Sequence, residues 1–308
     1  MLRRSLLALA RSERVKRLAS TMPVSSGIVS RFVAGETVAD AVRVSRELSA
    51  VGLRVSLDHL GEDTLDRHQA ERTVAAYLSV LDALVEAGLT RDTEVSVKLS
   101  AIGQAIDGGH RIALDNARTV CQAARNAGTT VTLDMEDHTT TDSTLDVLTD
   151  LRQDFPETGV AVQAYLRRTE ADCKDLAHTG SRVRLCKGAY KEPEQVAFPD
   201  RTRVDRSYVR CLKVLMNGAG YPMVATHDPR LVRIAGVLAE RADRAPDSYE
   251  YQMLFGVRPD EQRRLVASGS TVRVYVPYGD QWYGYLMRRL AERPANVTFF
   301  ARALASRD

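Results

Sequence analysis

From about residue 50 onward the chain alternates short β-rich runs with amphipathic helical stretches eight times, and few folds accommodate that order. The strand-like runs are 53–58, 94–99, 130–135, 159–164, 182–186, 222–226, 249–253 and 272–276. Helical patterns fill the gaps, as in Thr64 to Ala87, Arg111 to Ala127 and Arg201 to Gly218. Strand–helix alternation predicts a parallel sheet, and eight units in about 250 residues predict an α/β fold of the (βα)8 TIM-like barrel type. A doubly wound open sheet is the second reading, but no G-x-G-x-x-G or Walker A sequence supports it. Residues 1–50 read as an N-terminal helical segment and 51–308 as the barrel domain, with Ser25 to Gly35 as a connector.

In a barrel, side chains of one parity along each strand face the helices and must be apolar, while the other parity faces the interior. Val95, Val97 and Leu99 alternate with Ser96 and Lys98. Val131, Leu133 and Met135 alternate with Thr132 and Asp134, and Val183 and Leu185 with Arg184 and Cys186. In the last strand Val272, Val274 and Val276 alternate with Arg273 and Tyr275. Lys98, Asp134, Arg184 and Tyr275 are therefore predicted to converge at one mouth, with Gln163, Thr226 and His227 ending two more strands. An isolated buried charge is costly, so polar groups on the interior parity of four strands point to a functional cluster. Lysine occurs six times among 43 basic residues, and Lys98 and Lys187 both sit at strand ends. The mouth inventory, two lysines, two to three arginines and one carboxylate, carries surplus positive charge and predicts an anionic ligand. The turn Lys187-Gly-Ala-Tyr190 would let backbone approach that ligand closely.

The last helix reads Gln281 to Glu292, with Tyr285, Arg288, Arg289 and Glu292 at i, i+3, i+4 and i+7 on one face. Two guanidiniums, one braced by Glu292, form a fork suited to a carboxylate or phosphate.

Composition narrows the alternatives. A net charge of +3 and the absence of a basic patch interleaved with aromatics argue against nucleic acid. No apolar run reaches the roughly 20 residues of a membrane span. Cys121, Cys173, Cys186 and Cys211 form no CxxC pair and read as reduced thiols of a cytoplasmic protein. The histidines form no H-E-x-x-H or H-x-H motif, so no metal is expected. The basic, amphipathic Met1 to Leu18 segment has too short an apolar centre for export. It reads first as a structural helix, with an organelle transit peptide or a peripheral membrane-surface helix still open.

Arg184-Leu-Cys-Lys-Gly-Ala-Tyr190 resembles the R-L-x-K-G-A-Y motif of the proline dehydrogenase family. Ser56-Leu-Asp-His-Leu-Gly-Glu62, Val97-Lys-Leu-Ser100, Leu133-Asp-Met-Glu136, Ala225-Thr-His227, Tyr275-Val-Pro277 and Tyr285 to Glu292 resemble the family's other blocks in the same order. The likeness spans roughly residues 50–300 and suits the compact monofunctional bacterial form. It departs in Gly279 to Tyr285, which is shorter than in the long bifunctional forms. The resemblance implies a distorted barrel that binds FAD at the strand C-termini, oxidises L-proline to Δ1-pyrroline-5-carboxylate and passes electrons to membrane quinone. Carried over by position, it implies that Arg288, Arg289 and Lys98 grip the proline carboxylate and that Glu292 supports the arginines. It implies that Tyr275 and Tyr285 pack over the ring, and that Arg184 and Asp134 are the catalytic pair beside the flavin. Met135, Gln163, Arg184, Lys187, Gly188, Ala189, Tyr190, Thr226 and His227 would contact FAD.

Three rival readings use the same residues. A Schiff-base aldolase would use Lys187 or Lys98. A metal-dependent hydrolase would use Asp58-His59, Asp137-His138 and His227-Asp228. A non-catalytic anion-binding barrel needs none of this chemistry.

Overall fold

The computed structural model describes residues 29–61 and 64–286. The Met1 to Leu18 segment, Glu62, Arg288, Arg289 and Glu292 lie outside the described residues. Eight parallel strands close on themselves in sequence order: β1 Arg54–His59, β2 Thr93–Val97, β3 Val131–Leu133, β4 Gly159–Gln163, β5 Arg182–Cys186, β6 Tyr221–Ala225, β7 Glu250–Leu254 and β8 Val272–Tyr278. Helix α1, Val38–Ser49, precedes the barrel. The helices between strands are α2 Arg67–Glu86, α3 Gly109–Ala127, α4 Thr141–Asp154, α5 Thr169–Leu176, α6 Arg201–Asn217, α7 Pro229–Arg241 and α8 Pro259–Ala267. The expected (βα)8 barrel is the observed fold.

Local chemistry starts the helices where the pattern places them. Thr37 and Asp40 form a reciprocal capping box at α1. Asp66, Asp200 and Asp228 cap α2, α6 and α7 through their carboxylates. The outward strand parity then packs on these helices: Val55, Leu57, Val95, Leu133, Leu185 and Val274 are fully buried in one apolar layer with Val80, Leu84, Leu148 and Leu212. Ala41 and Val44 bring α1 into the same layer. β8 closes on β1 through six paired positions, from Arg54 opposite Arg273 to His59 opposite Tyr278.

Two local differences from the sequence expectations have physical causes. β3 ends at Leu133, short of the expected 135, because Gln163 at the end of β4 donates its side-chain amide to the carbonyls of Met135 and Glu136 at 2.8 and 2.7 Å. A side chain there takes the place of the backbone ladder, and the mouth opens between β3 and β4. Of the expected connector from Ser25 to Gly35, the described part is helix at 29–32 followed by an irregular 33–35, where Ala34 N–H bonds the Pro277 carbonyl and Gly279 N–H bonds the Gly35 carbonyl.

Leu185 has no solvent exposure at the contact between β5 and the outer helices. Leu185→Ala is expected to lower unfolding free energy by about 2–5 kcal/mol, measured by urea unfolding. A loss under about 1 kcal/mol would mean that this layer is loosely packed.

Candidate active site

The interior parity delivers charge to the barrel axis in a continuous hydrogen-bonded series. At the N-terminal end Arg273 Nε donates to Glu250 Oε1 at 2.8 Å. Gln252 bridges upward, donating to Glu250 Oε1 and accepting from Arg184 Nε, both at 2.6 Å. Arg184 Nη1 reaches Asp134 Oδ1 at 2.6 Å, and the Tyr275 hydroxyl donates to Asp134 Oδ2 at 2.6 Å. At the mouth Lys98 Nζ lies 2.6 Å from Asp58 Oδ1, 3.4 Å from the Tyr275 hydroxyl and 3.7 Å from Asp134 Oδ2. The Arg184 guanidinium carbon sits 5.4 Å from the Tyr275 ring centroid. The four residues expected to converge do so, with Lys98 and Arg184 joined through Asp134 and Tyr275.

Burial tunes the members of this series. It lifts the Asp58 carboxyl above its usual range even though Lys98 pulls the other way. It also holds the Tyr275 hydroxyl well above its ordinary value, with the Asp134 and Asp58 charges adding to the effect, so the phenol stays a donor. Deeper down, burial works to raise Glu94, but Arg273, Arg182 and Arg184 together hold it well below the usual carboxylate range. Glu94 accepts from Arg182 at 2.6 Å and Arg184 at 3.3 Å and lies 3.8 Å from Arg273.

Among the described residues the charges balance, while Arg288 and Arg289, which the expected surplus also counts, lie outside them. Within the barrel, Lys98, Arg182, Arg184 and Arg273 face Asp58, Glu94, Asp134 and Glu250, so the described interior has no cationic surplus. Lys187 is likewise matched, by Asp205 at 2.5 Å and Asp228 at 3.3 Å. The carboxylates Glu94 and Glu250, with Gln252, Ser56, Ser96 and Arg182, were missed in the sequence. A signal was present for Glu94, Ser96, Ser56 and Arg182, which share the parity of Lys98, Asp58 and Arg184 on their own strands; on β7, Glu250 and Gln252 had no such neighbour.

The other candidate residues form the rim of β3 to β6. Met135 is buried just past β3, and Gln163 ends β4. Lys187 to Tyr190 follow β5, with Gly188 at φ +104° and its α-carbon pressed on the Tyr165 ring, where a Cβ would come within 2.2 Å. A side chain at 188 is excluded on both counts. Ala189 and Tyr190 are exposed on this rim. Thr226 accepts from Asp228 N–H at 3.1 Å, and His227 Nε2 accepts from Leu254 N–H at 2.9 Å, which ties the loop after β6 to β7. Tyr285 is buried in the helical turn at 282–286, and Trp282 of that turn bonds Glu36 at 2.8 Å.

The donor and acceptor chemistry of this rim suits a flavin group. The Gln163 amide nitrogen is spent on two carbonyls, which leaves Oε1 buried and, among the described residues, without a hydrogen-bond donor. A flavin ring N–H or a ribityl hydroxyl is a donor of the kind this acceptor lacks.

The rival chemistries meet residues already engaged. Lys98 and Lys187 sit against carboxylates, the reverse of the apolar or cation-flanked setting that activates an amine. Of the histidines in the three Asp-His pairs, His59 packs edge-on to Tyr77 and Tyr278, His138 pairs with Glu192 and His227 accepts from Leu254. Among the described residues no helix is long and apolar enough to cross a membrane.

Because folding depresses Glu94 and Glu250, their contribution is complete above their ordinary value of 4.5 and is lost as the pH falls below it. The melting temperature should drop steeply on acidification below about pH 4.5. The double variant Glu94→Gln/Arg182→Gln should drop less steeply, as measured by circular dichroism; parallel curves would remove Glu94 from the acid response.

Comparison with known proteins agrees with this site. A family model described as proline dehydrogenase matches residues 41–302. The chain is 35% identical over 304 residues to proline dehydrogenase 1 of Bacillus subtilis subsp. natto, covering 99% of each. It is 35% identical over 305 residues to the proline dehydrogenase of Deinococcus radiodurans, covering 98% of this chain and 97% of that one. Among solved structures, proline utilization A (PutA) of Bdellovibrio bacteriovorus inactivated by N-propargylglycine superposes with TM-score 0.79 at 27% identity. That match covers 86% of this chain and 32% of the longer PutA chain. From the Arg184 to Tyr190 motif through the closed barrel to relatives matched over nearly their whole length, the chain belongs to the proline dehydrogenase family of oxidoreductases.

Proposed function

We propose that this protein oxidises L-proline to Δ1-pyrroline-5-carboxylate with non-covalently bound FAD and delivers the electrons to a membrane quinone, with contact to the membrane peripheral. The observation that best supports it is the contact of Lys98, Asp134, Arg184 and Tyr275 at one barrel mouth, beside a rim carrying the unpartnered Gln163 acceptor. Bound FAD supplies the hydride acceptor for C5 of proline, chemistry no side chain offers.

The chain's own residues bind and orient. Lys98, Arg288 and Arg289 hold the proline carboxylate, with Glu292 bracing the arginines; anchoring one end of a small rigid substrate fixes the other, which contributes through positioning. Tyr275 and Tyr285 cover the pyrrolidine ring and exclude water. Asp134 fixes both Arg184 and the Tyr275 hydroxyl, so the cation and the ring wall share one support. Arg184 supplies a fixed positive charge where electron density increases. Met135, Gln163, Thr226, His227 and the Lys187-Gly188-Ala189-Tyr190 loop line the cofactor rim.

Purified protein should be yellow and should release FAD, not FMN, on denaturation. Arg288→Met and Arg289→Met should each keep the flavin while losing about two to four decades of kcat/KM, the equivalent of a desolvated charge left unpaired. A colourless protein that FAD cannot reconstitute, or arginine variants with full activity, would overturn the assignment.

Tyr275→Ser opens the wall over the ring. Proline turnover should fall and discrimination against ring-hydroxylated analogues should relax, read as the ratio of kcat/KM values. An unchanged ratio would mean that Tyr275 does not contact the substrate.

A further inference from the structure

A guanidinium has five N–H donors, and in Arg184 every one is already used by the protein. Nε donates to Gln252 at 2.6 Å. Nη1 donates to Ser96 at 2.7 Å and Asp134 at 2.6 Å. Nη2 donates to Ser56 at 3.1 Å and Glu94 at 3.3 Å. Arg184 has no hydrogen bond left to give a ligand without breaking one of these. Its effect on a group above it is that of a fixed charge, and the size of that effect depends on the carboxylates around it.

Two carboxylates touch Arg184. Asp134 is at the mouth and belongs to the site already described. Glu94 lies beneath, about 1% exposed, on β2. Its Oε1 also accepts from Ser56 at 3.1 Å and Thr132 at 3.2 Å, and its Oε2 is clamped by Arg182 at 2.6 Å and Thr130 at 3.3 Å. Held on both oxygens, Glu94 has a fixed position and a fixed charge. Arg182 holds it more closely than Arg184 does, so Arg184 is only partly neutralised from below.

Resting on the flavin assignment proposed above, we infer that Glu94 is a positioning residue which, from the floor of the barrel, fixes Arg184 and sets how readily the bound flavin accepts electrons. Reduction makes the flavin more negative. A negative charge below Arg184 opposes this, and Arg182 offsets that charge.

The test is the midpoint potential of the bound flavin, measured by dye-coupled titration on Glu94→Gln, Arg182→Gln and the double variant. Glu94→Gln should shift the equilibrium toward reduced flavin by roughly tenfold, about 30 mV for a two-electron couple. Arg182→Gln should shift it the opposite way, and the double variant should return close to the unsubstituted protein. A residue that only supported the fold would not produce shifts of opposite sign that cancel. If Glu94→Gln does not fold, Arg182→Gln and the double variant carry the test. Flavin-loaded variants whose potentials match the unsubstituted protein would overturn the role of Glu94 and leave the proline assignment standing. An unsubstituted protein that binds no flavin would overturn that assignment instead.

Discussion

The ion-paired series along the barrel axis is the constraint on which the rest of this structure depends. Barrels of this type usually fill their interior with layers of branched apolar side chains. Here the axis holds four cations and four carboxylates, with hydroxyls and amides satisfying the remaining donors. Ions in a low-dielectric interior are stabilising only when geometry and extra hydrogen bonds compensate their lost hydration. The full use of Arg184's donors and of both Glu94 oxygens meets that requirement. In return, the mouth residues are held by side chains that cannot move independently.

The same arrangement separates two tasks around the rim. Residues from β8, β1 and β2, namely Tyr275, Asp58 and Lys98, form one side of the mouth, while the ends of β3 to β6 form the side with the buried, unpartnered Gln163 acceptor. Arg184 of β5 and Asp134 just past β3 come from the second side and reach the first through Tyr275.

Strand order, closure and the meeting of Lys98, Asp134, Arg184 and Tyr275 were legible in the sequence because period-2 alternation reports which side chains face inward. The lower carboxylates were not picked out, although Glu94 shares the parity of Lys98 and Glu250 that of Gln252. Alternation reveals which face a residue occupies but not its partner: Glu94 meets Arg182 across 88 residues, and no local pattern encodes that pairing. The early end of β3 was also hidden, since it depends on the Gln163 side chain replacing a backbone ladder.

The interior charges also bear on how the barrel closes. An apolar/polar alternation repeats every two residues, so a strand slipped by two positions keeps its apolar face on the helices and looks acceptable to the hydrophobic layer. It does not look acceptable to the axis. Such a slip at β5 would take Arg184 away from Asp134, Ser56 and Gln252, elements up to 128 residues distant in sequence, and, even with Arg182 moved into its place, would strip Glu94 of its Arg182 contact. The axis therefore acts as a register check during folding, rejecting near-miss closures that burial alone would tolerate.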